Sequence, residues 1–151
     1  MDPVDHAVEC INNGMSCAQA MLAAFGPVYG LERGLAVRLG SGLGSGLGRS
    51  GGICGAVNGG CILLGLALGC DDPKDRAARA RTYQAVAEFL ERFAARRGST
   101  LCRDILAAEG CPPPGQKPDK AALARMRGLC PAVVRDAAEC LAALLPAPTA
   151  G

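Results

Sequence analysis

Apolar positions recur at helical spacing along most of the chain, and no stretch alternates long enough to read as a β-strand. Asp2-Pro3 has the form of an N-cap followed by proline at the first helical position. Val4, Ala7, Val8 and Ile11 then share one helix face until Asn12-Asn13-Gly14 stops it. Ser16 is placed to cap a second helix, CAQAMLAAF, with Cys17, Ala20, Met21 and Ala24 on its apolar side and Gly26-Pro27 at its end. A third short helix is expected from Leu31 to Leu39. The next segment, GSGLGSGLGRSGG, carries neither a helical nor a strand pattern.

The following segment, ICGAVNGGCILLGLALGC, completes a run with no charged residue from Ser50 to Cys70, which predicts a buried central helix wrapped by amphipathic ones. Asp71-Asp72-Pro73 ends it. KDRAARARTYQAVAEFLERFAARRG is the clearest amphipathic helix, with Ala80, Tyr83, Val86, Ala87, Leu90 and Phe93 on one stripe and Gly98 as its stop. Ser99 is read as the cap of TLCRDILAAEG. After the loop CPPPGQKPDK come a helix near Ala121 to Arg127 and, begun by Pro131, a last helix AVVRDAAECLAALL. The expectation is an all-α fold, a compact bundle of about six or seven helices around a glycine-rich loop and a central helix. One domain spans 1–147, and 148–151 form a frayed tail.

Composition narrows the function. Sixteen basic and fourteen acidic residues leave a charge of +2; with no basic run, two Tyr and no Trp, nucleic acid is excluded as a partner. The start, MDPVDHAVEC, has no basic or apolar leader segment, so the expected location is cytoplasmic. The uncharged run is long enough to cross a bilayer, but its first half is glycine and asparagine and it lacks aromatic belts, which argues against membrane insertion. Gly46, Gly48 and Gly51 match a dinucleotide-binding fingerprint with Asp71 downstream, yet no strand precedes them and no βαβ unit surrounds them. The single histidine, His6, has no CxxCH beside it, so covalent haem and His-rich zinc sites are excluded.

Nine cysteines are what remains to explain. In a reducing compartment disulfides are rare, and an odd count leaves one thiol over in any all-disulfide scheme. Metal, cluster or redox chemistry is therefore the leading class. No CxxC is present, which removes the main support for a zinc ribbon or a thioredoxin motif. Cys10, Cys61, Cys70 and Cys140 read as small core fillers. Cys17, Cys54, Cys102 and Cys130 differ, because each lies at or near a predicted helix start, where free N–H groups favour a thiolate. Four thiolates gathered by the tertiary fold are what an iron–sulfur cluster requires.

The segments NGMSCAQAML, SGLGSGLGRSGGICGAVNGG, TLCRDIL and LCPAVVRDAAE, in that order, resemble the redox-active family named for its C-GCAxxG-C-C cysteine pattern. The resemblance runs from about Val4 to Leu145, with Cys54-Gly55-Ala56-Val57-Asn58-Gly59 as the CGAxxG core. It implies that the four signature cysteines are Cys17, Cys54, Cys102 and Cys130. A similar domain accompanies an iron–sulfur cluster in split-Soret cytochromes, whose haem-binding part has no counterpart here. Cys111 sits where relatives often carry another cysteine and is a substitute ligand candidate; Cys61 and Cys70 depart from the usual pattern.

The resulting expectation is a small redox protein holding an iron–sulfur cluster, [2Fe–2S] first, through Cys17, Cys54, Cys102 and Cys130, and passing electrons to a partner protein. Two alternatives use the same sulfurs: a thiol–disulfide oxidoreductase in which Cys54 attacks, and a structural zinc module. Glycines 48, 51, 52 and 55 are expected to bring backbone N–H groups up to the sulfurs. The uncharged segment also leaves apolar surface that a homodimer could cover.

Overall fold

The helix starts announced by polar residues are largely formed. In the computed structural model, which describes residues 1–148, α1 (Pro3–Asn12) begins where an Asp2 carboxylate oxygen accepts the Val4 N–H at 2.8 Å. Helix α2 (Cys17–Phe25) begins with a full capping box: Ser16 Oγ accepts from Gln19 N and Gln19 Oε1 accepts from Ser16 N. Gln19 Nε2 also donates to the Val37 carbonyl, tying α2 to α3 (Arg33–Gly40), which lies within a residue or two of its expected span. Then come α4 (Gly55–Leu68), α5 (Arg76–Arg97), α6 (Cys102–Ala108) and α7 (Lys120–Ala142). These seven right-handed helices, without a strand among the described residues, make the all-α fold.

Helix α2 is the hub, packing on α1, α3, α4 and α7, while α5 and α7 close over α4. Met21 and Leu22 of α2, Leu63 and Leu64 of α4, Phe89 and Phe93 of α5, and Val134 and Leu141 of α7 are fully buried. Three ion pairs hold α5 to α7: partly buried Arg97 Nε meets Asp136 Oδ2 at 2.6 Å, and the more exposed Arg96 meets Glu139 at 2.6 Å and Asp136 at 3.3 Å.

Four expectations need correction. First, α7 runs unbroken through Pro131. An interior proline costs a helix roughly 3 kcal/mol. Burial of an aliphatic side chain contributes roughly 1.5–3 kcal/mol, and Leu129, Val133, Val134 and Leu141 are all buried on this helix. Packing therefore outweighs the lost hydrogen bond.

Second, the inward face of α5 is only partly the expected one: Phe93 is buried and Val86 and Leu90 pack on the core, but Ala78 and Phe89 join them, whereas Ala80 and Ala87 are exposed and Tyr83 is 68% exposed. In an alanine-rich helix small residues specify the inward face weakly, and burying the second phenyl ring, Phe89, beside Phe93 gains more area than burying Ala80 or Ala87. Third, α4 is buried on one side only; Ile62 and Leu66 remain exposed. Fourth, Ser99 is not the cap of α6, which starts at Cys102; its Oγ accepts from Leu101 N and donates to Asp104. Of the expected tail, only residue 148 lies within the described residues.

Candidate functional site

Three local devices carry three cysteines to one place. The first is close helix approach. A Cβ on Gly55 would meet Leu43 O at 3.0 Å, Ala18 N at 3.1 Å and Cys17 Cβ at 3.4 Å, and one on Gly59 would meet Met21 Cβ at 3.0 Å. Absent side chains at Gly55 and Gly59 thus let α4 lie directly on the first turns of α2, which sets Cys54 beside Cys17.

The second device is a two-residue antiparallel bridge. Ile53 pairs with Leu101, Cys54 N donates to Thr100 O at 2.8 Å, and Cys102 N donates to Gly52 O at 2.7 Å. Cys54 and Cys102 are clipped together by backbone just as each begins its helix, Cys54 as the N-cap of α4 and Cys102 as the first residue of α6.

The third is the segment that had no readable pattern. Ser45, Gly46, Leu47, Gly48 and Arg49 all have φ between +53° and +72°, a left-handed turn. Left-handed backbone costs roughly 1–2 kcal/mol for each residue bearing a side chain, so Ser45, Leu47 and Arg49 must be held there. The hydrogen bonds from Gly52 N to Gly46 O (2.8 Å) and from Ser50 Oγ to the same oxygen (2.6 Å) do so. The turn leans on the site at Gly46, where a Cβ would sit 2.7 Å from Cys102 Cβ and from Gly52 N and O.

Cys130 arrives differently. It lies inside α7, one residue before Pro131, rather than at a helix start. With Cys17, Cys54 and Cys102 it lines a cavity of about 590 Å³, whose outer wall is the loop from Pro112 to Pro118. Cys54 is buried, and Cys17, Cys102 and Cys130 are partly exposed. All nine cysteines are free thiols, and the four predicted from the sequence are the ones that meet.

Their acidities follow from this geometry. The Cys17 thiol is held between the Cys130 and Cys54 sulfurs and pushed well above the ordinary thiol range, with burial adding to the effect. Cys54 is lowered, first by that Cys17 thiol and then, against burial, by the N–H groups of Ala56 and Val57 at the start of α4. Cys130 is lowered to about 7 by its contact with Cys17. Cys102 is pushed up to about 11 by burial and then by the neighbouring Cys54 and Cys130.

Several expectations about the surroundings change. The amides that reach the Cys54 sulfur belong to Ala56 and Val57; Gly51 N and Gly52 N are committed to Ser45 O and Gly46 O, a Cβ on Gly48 would find only Gly42 O at 3.9 Å, and of the four expected glycines Gly55 is the one at which a Cβ would meet a site cysteine, Cys17. Gly46, not among the four glycines expected beside the sulfurs, is the glycine pressed against Cys102. Cys111 is buried outside the cavity with its sulfur toward Glu109 O and Ala122 O. Cys10 and Cys140 are buried core thiols and Cys61 is half-buried, as core fillers should be. Cys70 is instead exposed, its sulfur 3.4 Å from Asp75 Oδ2.

Among the described residues, no group of three or more His, Cys, Asp and Glu side chains is arranged to hold a metal ion. Structural zinc takes four donors around one centre. A [2Fe–2S] cluster takes four cysteines spread over two irons. Four thiols around a cavity of this size are compatible with that demand. No helix among the described residues is long and apolar enough to cross a membrane.

Comparison with known proteins gives one match: the family described as "putative redox-active protein (C_GCAxxG_C_C)" matches residues 15–144, leaving α1 outside the matched span. No curated protein and no solved structure matches the chain.

Proposed function

This chain belongs to the C_GCAxxG_C_C family, and on that premise we propose that it is a redox protein of a reducing compartment whose Cys17, Cys54, Cys102 and Cys130 hold an iron–sulfur cluster. The observation that carries this reading is the convergence of four thiols, brought by four separate elements, on the lining of one cavity. Bound there, the cluster supplies one-electron transfer to and from a partner. The protein's own part is to hold the sulfurs and tune them. The N–H groups of Ala56 and Val57 stabilise negative charge on the Cys54 sulfur, an arrangement that raises a cluster's reduction potential. The Ile53–Leu101 bridge and the Gly46 contact fix the positions of Cys54 and Cys102.

The contact of the Cys17 thiol with both Cys54 and Cys130 favours a second reading, a thiol–disulfide oxidoreductase. Cys54 is buried, so the attacking sulfur in that scheme is the partly exposed Cys130. It would attack a substrate disulfide, and Cys17 would resolve the mixed disulfide. The products are a Cys17–Cys130 disulfide and two substrate thiols.

Iron and acid-labile sulfide analysis of anaerobically purified protein, with its visible spectrum, separates the readings. The expected result is two irons and two sulfides per chain with sulfide-to-iron absorption bands. A colourless protein with neither, which reduces a disulfide substrate, would establish the second reading instead.

A further inference from the structure

The cavity is larger than the sulfurs need. A cluster core is a few atoms, whereas a space of about 590 Å³ falls in the range of pockets that enclose small ligands. Beyond the four cysteines, its wall has an apolar part, including Ile11, Met15, Leu106 and Met126. It also carries two cations, Arg49 and Lys117, and no carboxylate.

What sets Arg49 and Lys117 apart is their place on the wall of a cavity that carries no carboxylate to neutralise them. Five ion pairs are formed among the described residues, and neither Arg49 nor Lys117 takes part in any of them. Neither side chain makes a hydrogen bond to another described residue across the cavity. Both are exposed, whereas Cys54 is buried. Arg49 closes the left-handed turn, its N–H bonded to Gly44 O at 3.4 Å, and Lys117 belongs to the proline-rich loop. Two separate segments therefore bring positive charge to one apolar-walled opening.

We propose that this cavity binds a small organic anion, its apolar body against Ile11, Met15, Leu106 and Met126 and its acid group toward Arg49 and Lys117. The inference rests on the redox reading for its meaning, since it places an anionic substrate beside the sulfur site. It stands on the cavity and its cations for its chemistry. A planar guanidinium engages a carboxylate with two parallel hydrogen bonds, and a lysine adds a second charge. At an exposed opening each charge contributes modestly and is screened by salt.

Hexanoate and its uncharged analogue hexanamide are the probes, measured by equilibrium dialysis on the full chain as purified. The wild-type protein is expected to bind hexanoate about fivefold tighter than hexanamide at low salt, with the preference shrinking as salt is added. In the Arg49→Gln/Lys117→Gln double variant the two probes should bind equally, with iron content unchanged. With methyl-labelled methionine, hexanoate should move the Met15 and Met126 signals and leave that of buried Met21 in place. Absence of hexanoate binding, equal binding of both probes by the wild type, or a preference that survives the double variant overturns the proposal. Loss of iron in the double variant also overturns it, by assigning the two cations to the charge of the sulfurs. A protein that lacks iron yet keeps the preference refutes the cluster reading and leaves the anion site standing.

Discussion

Gly46→Ala tests how the left-handed turn positions Cys102, and Gly48→Ala is its internal control. Both glycines have left-handed φ, +69° and +57°, so each alanine pays roughly 1–2 kcal/mol for its backbone alone. The two sites then part company. A Cβ at Gly48 meets nothing nearer than Gly42 O at 3.9 Å, an ordinary contact. At Gly46 it lies 2.7 Å from Cys102 Cβ and from the Gly52 backbone, which no side-chain rotation can relieve. Overpacking of that kind adds typically 1–3 kcal/mol. The expected losses are therefore roughly 1–2 kcal/mol for Gly48→Ala and roughly 2–5 kcal/mol for Gly46→Ala. Urea unfolding reads this as a lower midpoint at unchanged slope. Because the turn must lift off Cys102, Gly46→Ala should also lose visible absorbance per chain while Gly48→Ala keeps it. Equal midpoints for the two variants, or an unaltered spectrum in Gly46→Ala, would show that the turn does not support the site.

Three further outcomes follow from the same geometry. Cys102→Ser should sharply reduce bound iron, because a hydroxyl is a hard and poorly ionised ligand, whereas Cys70→Ala and Cys111→Ala should retain it; iron analysis of the three variants gives the ranking, and iron loss from Cys70→Ala would overturn the ligand set. Gly59→Ala should destabilise the fold by roughly 1–3 kcal/mol, since its Cβ would press on Met21 Cβ at 3.0 Å and on Ala18 O at 3.2 Å between α2 and α4; a melting temperature equal to wild type would refute the close-approach argument. In metal-free, reduced protein of a Cys70→Ala background, Cys130 with its acidity near 7 should alkylate with iodoacetamide increasingly as pH rises through 7, and before Cys102, which stays protonated until about 11; peptide mapping showing the reverse order would refute the sulfur geometry.

Much of this molecule is written in short-range chemistry. Asp2-Pro3 and the Ser16/Gln19 box start their helices because the groups that satisfy the free N–H donors are two or three residues away in the chain. The four site cysteines were also legible, through their positions beside polar or glycine punctuation and through the ordered CGAxxG pattern. Cys130 was selected for a reason that fails, however: Pro131 reads as a helix start, yet α7 passes through it. Proline's local preference is worth only a few kcal/mol, and the buried face of a long helix exceeds it.

The sequence by itself determined the helical class, most helix starts and which four cysteines line the cavity, because those depend on spacing and on neighbours along the chain. Tertiary structure decided the rest. Which stripe of α5 faces inward depends on Phe89 filling the space left by Gly60, a pairing of residues far apart in sequence. That Gly46 rather than Gly52 guards the site depends on a left-handed turn whose hydrogen bonds close only once Gly51 and Gly52 lie across it and Cys102 lies against it. Cys70 is exposed and Cys111 is buried away from the cavity for the same reason. A thiol's role is set by what packs around it, and that is a property of contacts between segments, which no local pattern encodes.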